Sequence, residues 1–540
     1  MRKRGRCLLD VSSSLDSLMA FGDGCKVPMS SSLSNNGDNG DSQSSNSNSI
    51  TKDNNSAICS RFAANTSCDQ IDSQKSTGSA FATEISFFCK EEEETADMCI
   101  YLARAVSSAR TQEALIALVK HFITHDPSIV MMSLKRSGLQ SKLLDILCKT
   151  SNEGIKIEQQ CLFLRFFVFI VKLCDIEILC EVSLIKFLLL HCKPPQESSN
   201  DVVSVKTHQS SHWSQRVKRT PTVAVSQRQD ITELTLLINT LLGEKEDKTS
   251  LASLALRALL DITFRQNSNL ALFADSNICL IFAELGGFDI VSALLSGNEC
   301  EDALHLLEVV TLCEGLRTTH TLALRQTALH LVRLITADDD EHHGEINAAL
   351  RVLTNVTGLV PSVLSGEDKE CHALATKAAK TLLDDEAMPD TLAFTLCFTT
   401  NIVKWEAREG HTNFTSSLVE SPFFLTRIAS LTFRAYHTED TEKNVLAGYY
   451  ALLLAVLSLC AAPTLELRVP VMTAVAEATK GTVAGKKVES KPMTLIVALL
   501  QEFIFFQSSA GSLTKDSLLS MNNIIESVVK HNNIEITSDD

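Results

Sequence analysis

The sequence predicts an all-α fold, and three observations carry that expectation. Apolar residues recur at the helical period through most of the 540-residue chain. Aromatic residues, which strands favour, make up 6% of it against 45% hydrophobic residues overall. Alternating apolar and polar runs bounded by hairpin turns are almost absent.

The segment 1–95 departs from this pattern, because Ser, Asn, Asp and Gly dominate it, most densely over 30–56. Such a composition cannot bury enough apolar surface to offset the entropy of ordering, so a disordered tail is expected. Its apolar islands at 15–21 and 81–89 read more simply as accidental clusters than as docking peptides. The opening M-R-K-R-G-R is basic, but no apolar stretch of signal-peptide length follows it, so the chain is not expected to be secreted.

A first helical block is predicted over 96–192. Leu115, Leu118, Val119 and Phe122 stand at i, i+3, i+4 and i+7 and so line one helix face. At Gly138, inside L-K-R-S-G-L-Q-S-K-L-L, one stripe ends and another starts; a positive φ at glycine is the usual way to close a helix there. The Gly286-Gly287 pair does the same inside F-A-E-L-G-G-F-D-I-V. This helix-glycine-helix joint is the joint of armadillo and HEAT units, so the fold expected is an armadillo/HEAT-like helical-repeat solenoid behind a disordered tail. Single units of that kind cannot cover their own apolar faces and must stack.

A linker or long loop is predicted over 193–230, where Lys193-Pro194-Pro195 stops the preceding helix and a polar stretch leads to the basic cluster R-V-K-R at 216–219. The second helical block, 231–540, carries two further wide stripes. One comprises Leu251, Leu254, Ala255, Ala258, Leu259 and Ile262; the other Ile346, Ala349, Leu350 and Leu353. The longest apolar run, 449–463, is shorter than the roughly 20 residues that span a bilayer and is expected to be a buried helix. An interruption at 481–492 sets off the last two helices.

Charge and motif content then narrow the function. Lys plus Arg number 49 against 65 Asp plus Glu, a net charge of −16, so the molecule as a whole repels a phosphate backbone and no direct nucleic-acid binding is expected. Seventeen cysteines are scattered singly, as at Cys161, Cys174, Cys180 and Cys397, without a C-x-x-C pair. They read as small buried hydrophobes in a reducing compartment rather than as zinc ligands or disulfide partners. The stretch G-T-V-A-G-K-K at 481–487 is one residue short of a phosphate loop and lacks its Ser or Thr. His342 and His343 among the acidic residues 338–341 and Glu345 read as a solvated loop, since adjacent histidines cannot share one helix face. No catalytic motif, metal or cofactor is expected, and the chain is read as a non-enzyme.

Several segments, in order, resemble the wings-apart-like (Wapl) family of cohesin-release factors. Q-E-A-L-I-A-L-V at 112–119 followed by S-L-K-R-S-G at 133–138 resembles the family's first repeats. The helix at 183–194 is similar to the one that closes this block, and 282–291 to a later turn. L-R-V-L-T-N-V-T at 350–357 resembles the L-x-N-x-T helix, and N-I-V-K-W-E-A-R at 401–408 the L-x-N-L-V-E helix. A-G-Y-Y-A-L-L-L at 447–454 is similar to A-x-Y-x-A-L-L-L-G, with Ala455 in place of the last glycine; 499–506 and 524–526 look like the closing helices. The Phe-Gly-Phe motifs of animal members are not matched, the nearest segment being Phe21-Gly22-Asp23.

The resemblance implies a nuclear, chromatin-associated regulator of sister-chromatid cohesion that promotes release of cohesin. The implied partners are the kleisin, its HEAT-repeat accessory subunits and the SMC heads, with no membrane. Within the resembling segments, Lys135, Arg136, Lys404, Glu406 and Arg408 are the candidate partner-binding residues; the competing reading makes them ordinary solvated helix ends. A generic armadillo/HEAT scaffold outside the cohesin system is the alternative function.

Overall fold

The computed structural model describes most of residues 93–534 and leaves out 194–232, 242–249, 268–276, 481–490 and some shorter stretches. The expected tail therefore lies almost wholly outside the described residues. So do its two apolar islands, Phe21-Gly22-Asp23, nearly all of the linker with its basic cluster, His342 with the acidic run before it, and the 481–487 segment. What is described is almost entirely helical. The exception is a ladder of two residues a side, Ala461–Ala462 antiparallel to Leu465–Glu466.

The block before the linker comprises α1 (Thr111–Thr124), α2 (Pro127–Arg136), α3 (Gln140–Asn152), α4 (Ile157–Leu173), α5 (Ile176–Leu179) and α6 (Val182–Cys192). The stripe at Leu118, Val119 and Phe122 is buried, with the Phe122 ring edge-on to Phe166 of α4 at 5.7 Å. Gly138 takes φ +65° after α2. Its N–H donates to the Lys135 carbonyl at 3.0 Å, and the Leu139 N–H donates to that of Leu134 at 2.8 Å. These are the two bonds by which a left-handed residue turns the chain back over a helix's last carbonyls.

Across the linker, α7 (Leu251–Asn267) packs on both α4 and α6. Arg265 bridges this contact, its guanidinium donating to the carbonyls of Val171 at 2.8 Å and Cys174 at 2.6 Å at the end of α4. The last carbonyls of a helix lack i+4 N–H partners, and such a side-chain donor satisfies them. Arg165 of α4 likewise donates to Asn239 at 2.9 Å. The two helical blocks are thus joined in one packed body, and the linker connects segments already in contact.

The α-helices that follow α7 begin with α8 (Ile278–Glu284), α9 (Gly287–Ser292), α10 (Cys300–Val310), α11 (Leu316–Thr319), α12 (Thr321–Thr336) and α13 (His343–Leu359). They continue with α14 (Lys369–Leu383), α15 (Pro389–Glu409), α16 (Asn413–Leu418), α17 (Phe424–Tyr436), α18 (Thr441–Ser458), α19 (Arg468–Lys480), α20 (Pro492–Ser509) and α21 (Lys515–His531). They follow one another in two rows. In the first, α7, α10, α13, α15 and α18 pack each on the next; in the second, α9, α12, α14, α17 and α19 do. The rows are zipped together by α12 on α13, α14 on α15 and α17 on α18. Gly286, at φ +74°, makes the joint from α8 to α9, and Gly287 lies so close to the Phe282 ring that a side chain there would collide with it at 2.6 Å.

Two buried asparagines fasten neighbouring helices of the first row in the same way. Asn355 of α13 donates to the Glu308 carbonyl of α10 and to the hydroxyl of Thr311, the residue that closes α10, both at 3.2 Å. Asn401 of α15 donates to the Thr354 carbonyl at 3.3 Å and the Thr357 hydroxyl of α13 at 3.2 Å. In each bracket the asparagine stands 47 residues after the carbonyl and 44 after the threonine.

The run 449–463 begins inside α18, whose residues 446–458 are buried on every side. α15, α17, α19, α20 and α21 surround it. Gly448 lets the Phe503 ring of α20 lie directly on the α18 backbone, and Tyr449 meets the same ring at 5.1 Å. α20 is long and apolar enough to span a membrane, and among the described residues it packs on α18, α19 and α21.

Candidate functional site

The expected partner-binding residues fall at two places in this stack. Lys135 and Arg136 form the last turn of α2, where cationic side chains sit favourably beside the negative end of the helix dipole. Lys135 is exposed and pairs with Asp175, the residue before α5, at 3.0 Å. Arg136 reaches back to the Met132 sulfur at 3.7 Å. Met132 itself is 51% exposed, so the end of α2 presents an apolar side chain and two cations together.

The second place is the end of α15. Lys404 is half-buried, and its ammonium donates to the Ser520 hydroxyl of α21 at 2.8 Å, which spans 116 residues of sequence. The Trp405 indole stacks on the His411 ring, centroids 4.9 Å apart and planes 15° from parallel. Arg408 is exposed and pairs with Glu409 at 2.9 Å.

Glu406 corrects the sequence reading. It is 2% exposed, and its carboxylate accepts from the Phe414 and Thr415 N–H groups at 2.9 and 2.8 Å and from the Thr415 hydroxyl at 2.6 Å. A carboxylate at a helix N-terminus satisfies donors that have no intrahelical partner, so Glu406 holds the start of α16 and offers no face to another protein. Of the five residues, Lys135, Arg136 and Arg408 face solvent. The two groups belong to helices at separate stages of the stack and do not converge on one site.

Sequence reasoning passed over two other surface features. Asp385, in the turn from α14 to α15, takes Arg427 and Arg434 of α17 on its two oxygens. The Arg434 hydrogen bond, chiefly, holds the Asp385 carboxyl below its ordinary range. The second feature is apolar: Phe505 and Phe506 of α20 are 69% and 47% exposed, and Leu519 of α21 is 53% exposed. The hydrophobic run at 499–506 held that signal, but its period alone does not tell a covered residue from an uncovered one.

Two pockets among the described residues, one beside α3 and α6 and one among α12–α15, hold about 50 and 20 Å³, room for a few waters. Among the described residues no group of three His, Cys, Asp or Glu side chains gathers as a metal site. Comparison with known proteins supplies no relative, since no protein-family model and no curated protein matches the chain.

Proposed function

We propose that this protein is a non-catalytic regulator of sister-chromatid cohesion, an armadillo/HEAT-like stack that binds cohesin and promotes its release from chromatin. The observation that carries the reading is where the Wapl-like segments fall. Residues 350–357, 401–408 and 447–454 lie on α13, α15 and α18, three consecutive helices of one row. The first two contain Asn355 and Asn401, which repeat one bracket at one spacing. Equal spacing along the chain with equal geometry across the contact is what stacked units of about 40 residues produce. The shared bracket supports reading the first two segments as equivalent steps of one stack, as in a family built from repeats.

In this reading ATP hydrolysis belongs to the SMC heads of cohesin, and the chain contributes binding alone. A binding protein shifts a ring between closed and open states only by its differential affinity; a tenfold shift needs about 1.4 kcal/mol. Exposed side chains at the end of α2 and at Arg408, with the uncovered Phe505 and Phe506, are the surfaces offered to the kleisin, the HEAT-repeat subunits or the heads. The protein is placed in the nucleus on the same resemblance.

Affinity capture of the full chain from nuclear extract, read by mass spectrometry, tests the partner class. Recovery of cohesin subunits is expected, and recovery of importins or kinases without cohesin would leave a generic scaffold as the function.

A further inference from the structure

Charge is unevenly shared between the two rows. The chain as a whole carries −16, yet α12 and α17 of the second row contain no acidic residue and α14 contains one, Glu370. By contrast, α10 of the first row carries Glu301, Asp302 and Glu308 and no Lys or Arg. Acidic residues adjoin the second-row helices only at the ends of α14, at 367–368 and 384–386 in the sequence. The helices themselves expose Arg325 and Arg333 on α12, Lys369 and Lys380 on α14, and Arg434 on α17, with Arg427 half-exposed one helix face along.

Two contacts join these cations into one surface. Arg333 reaches Glu370 of α14 at 3.3 Å, and Asp385, just past α14, receives Arg427 and Arg434 of α17, the latter at 2.6 Å. At Asp385 two guanidinium groups already close on a carboxylate, the pairing their planar donors suit best. Apolar side chains lie among the cations. Leu322, one turn before Arg325, is 72% exposed, and Phe423, one turn before Arg427, is 74% exposed; no other large hydrophobic residue among the described residues is as open to solvent.

We propose that the exposed side of α12, α14 and α17 is a docking surface for an acidic segment of a partner protein, one that carries apolar residues among its Asp and Glu. The carboxylates pair with the cations and set the approach, and the apolar residues cover Leu322 and Phe423. A nucleic-acid backbone has the right sign of charge but a poorer match. It offers no apolar side chain for those two residues, and its unbroken run of phosphates meets the carboxylates at 384–386 and the negative charge of the chain as a whole. The assignment does not require the partner to be a cohesin subunit.

The test titrates the full chain into a fluorescein-labelled peptide of repeated Glu-Asp-Leu and follows anisotropy. Saturable binding is expected, weakening at least about fivefold as salt rises from about 50 to about 300 mM. Arg325→Glu combined with Lys380→Glu should weaken it at least about tenfold. Lys186→Glu combined with Lys515→Glu changes net charge equally on the exposed faces of α6 and α21 and should stay within about twofold of the unmodified protein. The same peptide with Ser in place of Leu should bind more weakly. Failure of the unmodified protein to bind the peptide would overturn the proposal, as would equal losses from the two charge-reversed pairs. So would a labelled DNA duplex of the same net charge binding as tightly as the peptide. The first and last of these outcomes are read on the unmodified protein and do not depend on how a variant folds.

Discussion

The Glu406 carboxylate and Thr415 are bound twice over, through the Thr415 N–H at 2.8 Å and its hydroxyl at 2.6 Å, across the turn at Gly410. The Glu406 carbonyl meanwhile accepts from the Gly410 and His411 N–H groups at 2.9 and 3.0 Å. One residue thus closes α15 with its backbone and opens α16 with its side chain. Its replacement by Ala removes all three side-chain bonds and leaves buried donors unmatched. Glu406→Ala should therefore cost about 3 kcal/mol of stability and Glu406→Gln about half of that, read from urea-unfolding midpoints.

The two asparagine brackets share one geometry and should respond alike to mutation. Asn355→Ala and Asn401→Ala each remove two donors from buried acceptors and should each lower stability by about 1–3 kcal/mol in the same assay. The double variant should deviate from the sum, because Thr354, an acceptor of the second bracket, adjoins Asn355 on α13. Strict additivity would count against brackets that share a helix.

Gly448→Ala should destabilise by about 1–3 kcal/mol, since the added methyl collides with the Phe503 ring in a core with no room to yield. Phe503→Leu costs stability by itself, yet in combination it should relieve part of the Gly448→Ala loss. A double-mutant cycle on thermal or urea unfolding measures that coupling.

At Asp385 the folded carboxyl titrates below its ordinary value, chiefly through its bond to Arg434. The sign follows from linkage: stability from these pairs is complete above the unfolded carboxyl's titration, near pH 4, and is lost as pH falls through the lower folded value. Asp385→Asn should flatten the acid limb of the stability curve below about pH 4 and leave its neutral region little changed, because the pair is solvent-exposed.

What was legible in the sequence is local, and what was not is distant. Gly138 and Gly286 were readable as helix ends because a positive φ is a property of one residue, and both adopt it. Leu251, Leu254, Ala255, Ala258, Leu259 and Ile262 were readable as a covered stripe because helical period is set within a few turns; the last five are buried and Leu251 is half-buried. Glu406 was misread because W-E-A-R looks like a charged helix end until the chain turns at Gly410 and brings Thr415 back. The brackets of Asn355 and Asn401 span dozens of residues, and no periodicity encodes them.

Cohesin residence on chromatin, measured by fluorescence recovery after the protein is depleted from dividing cells, tests the central claim most directly. A longer-lived bound fraction, restored to its normal lifetime by re-expressing the full chain, is the predicted result. A bound lifetime unchanged by depletion would contradict the assignment to cohesin release and leave a helical stack whose partner lies elsewhere.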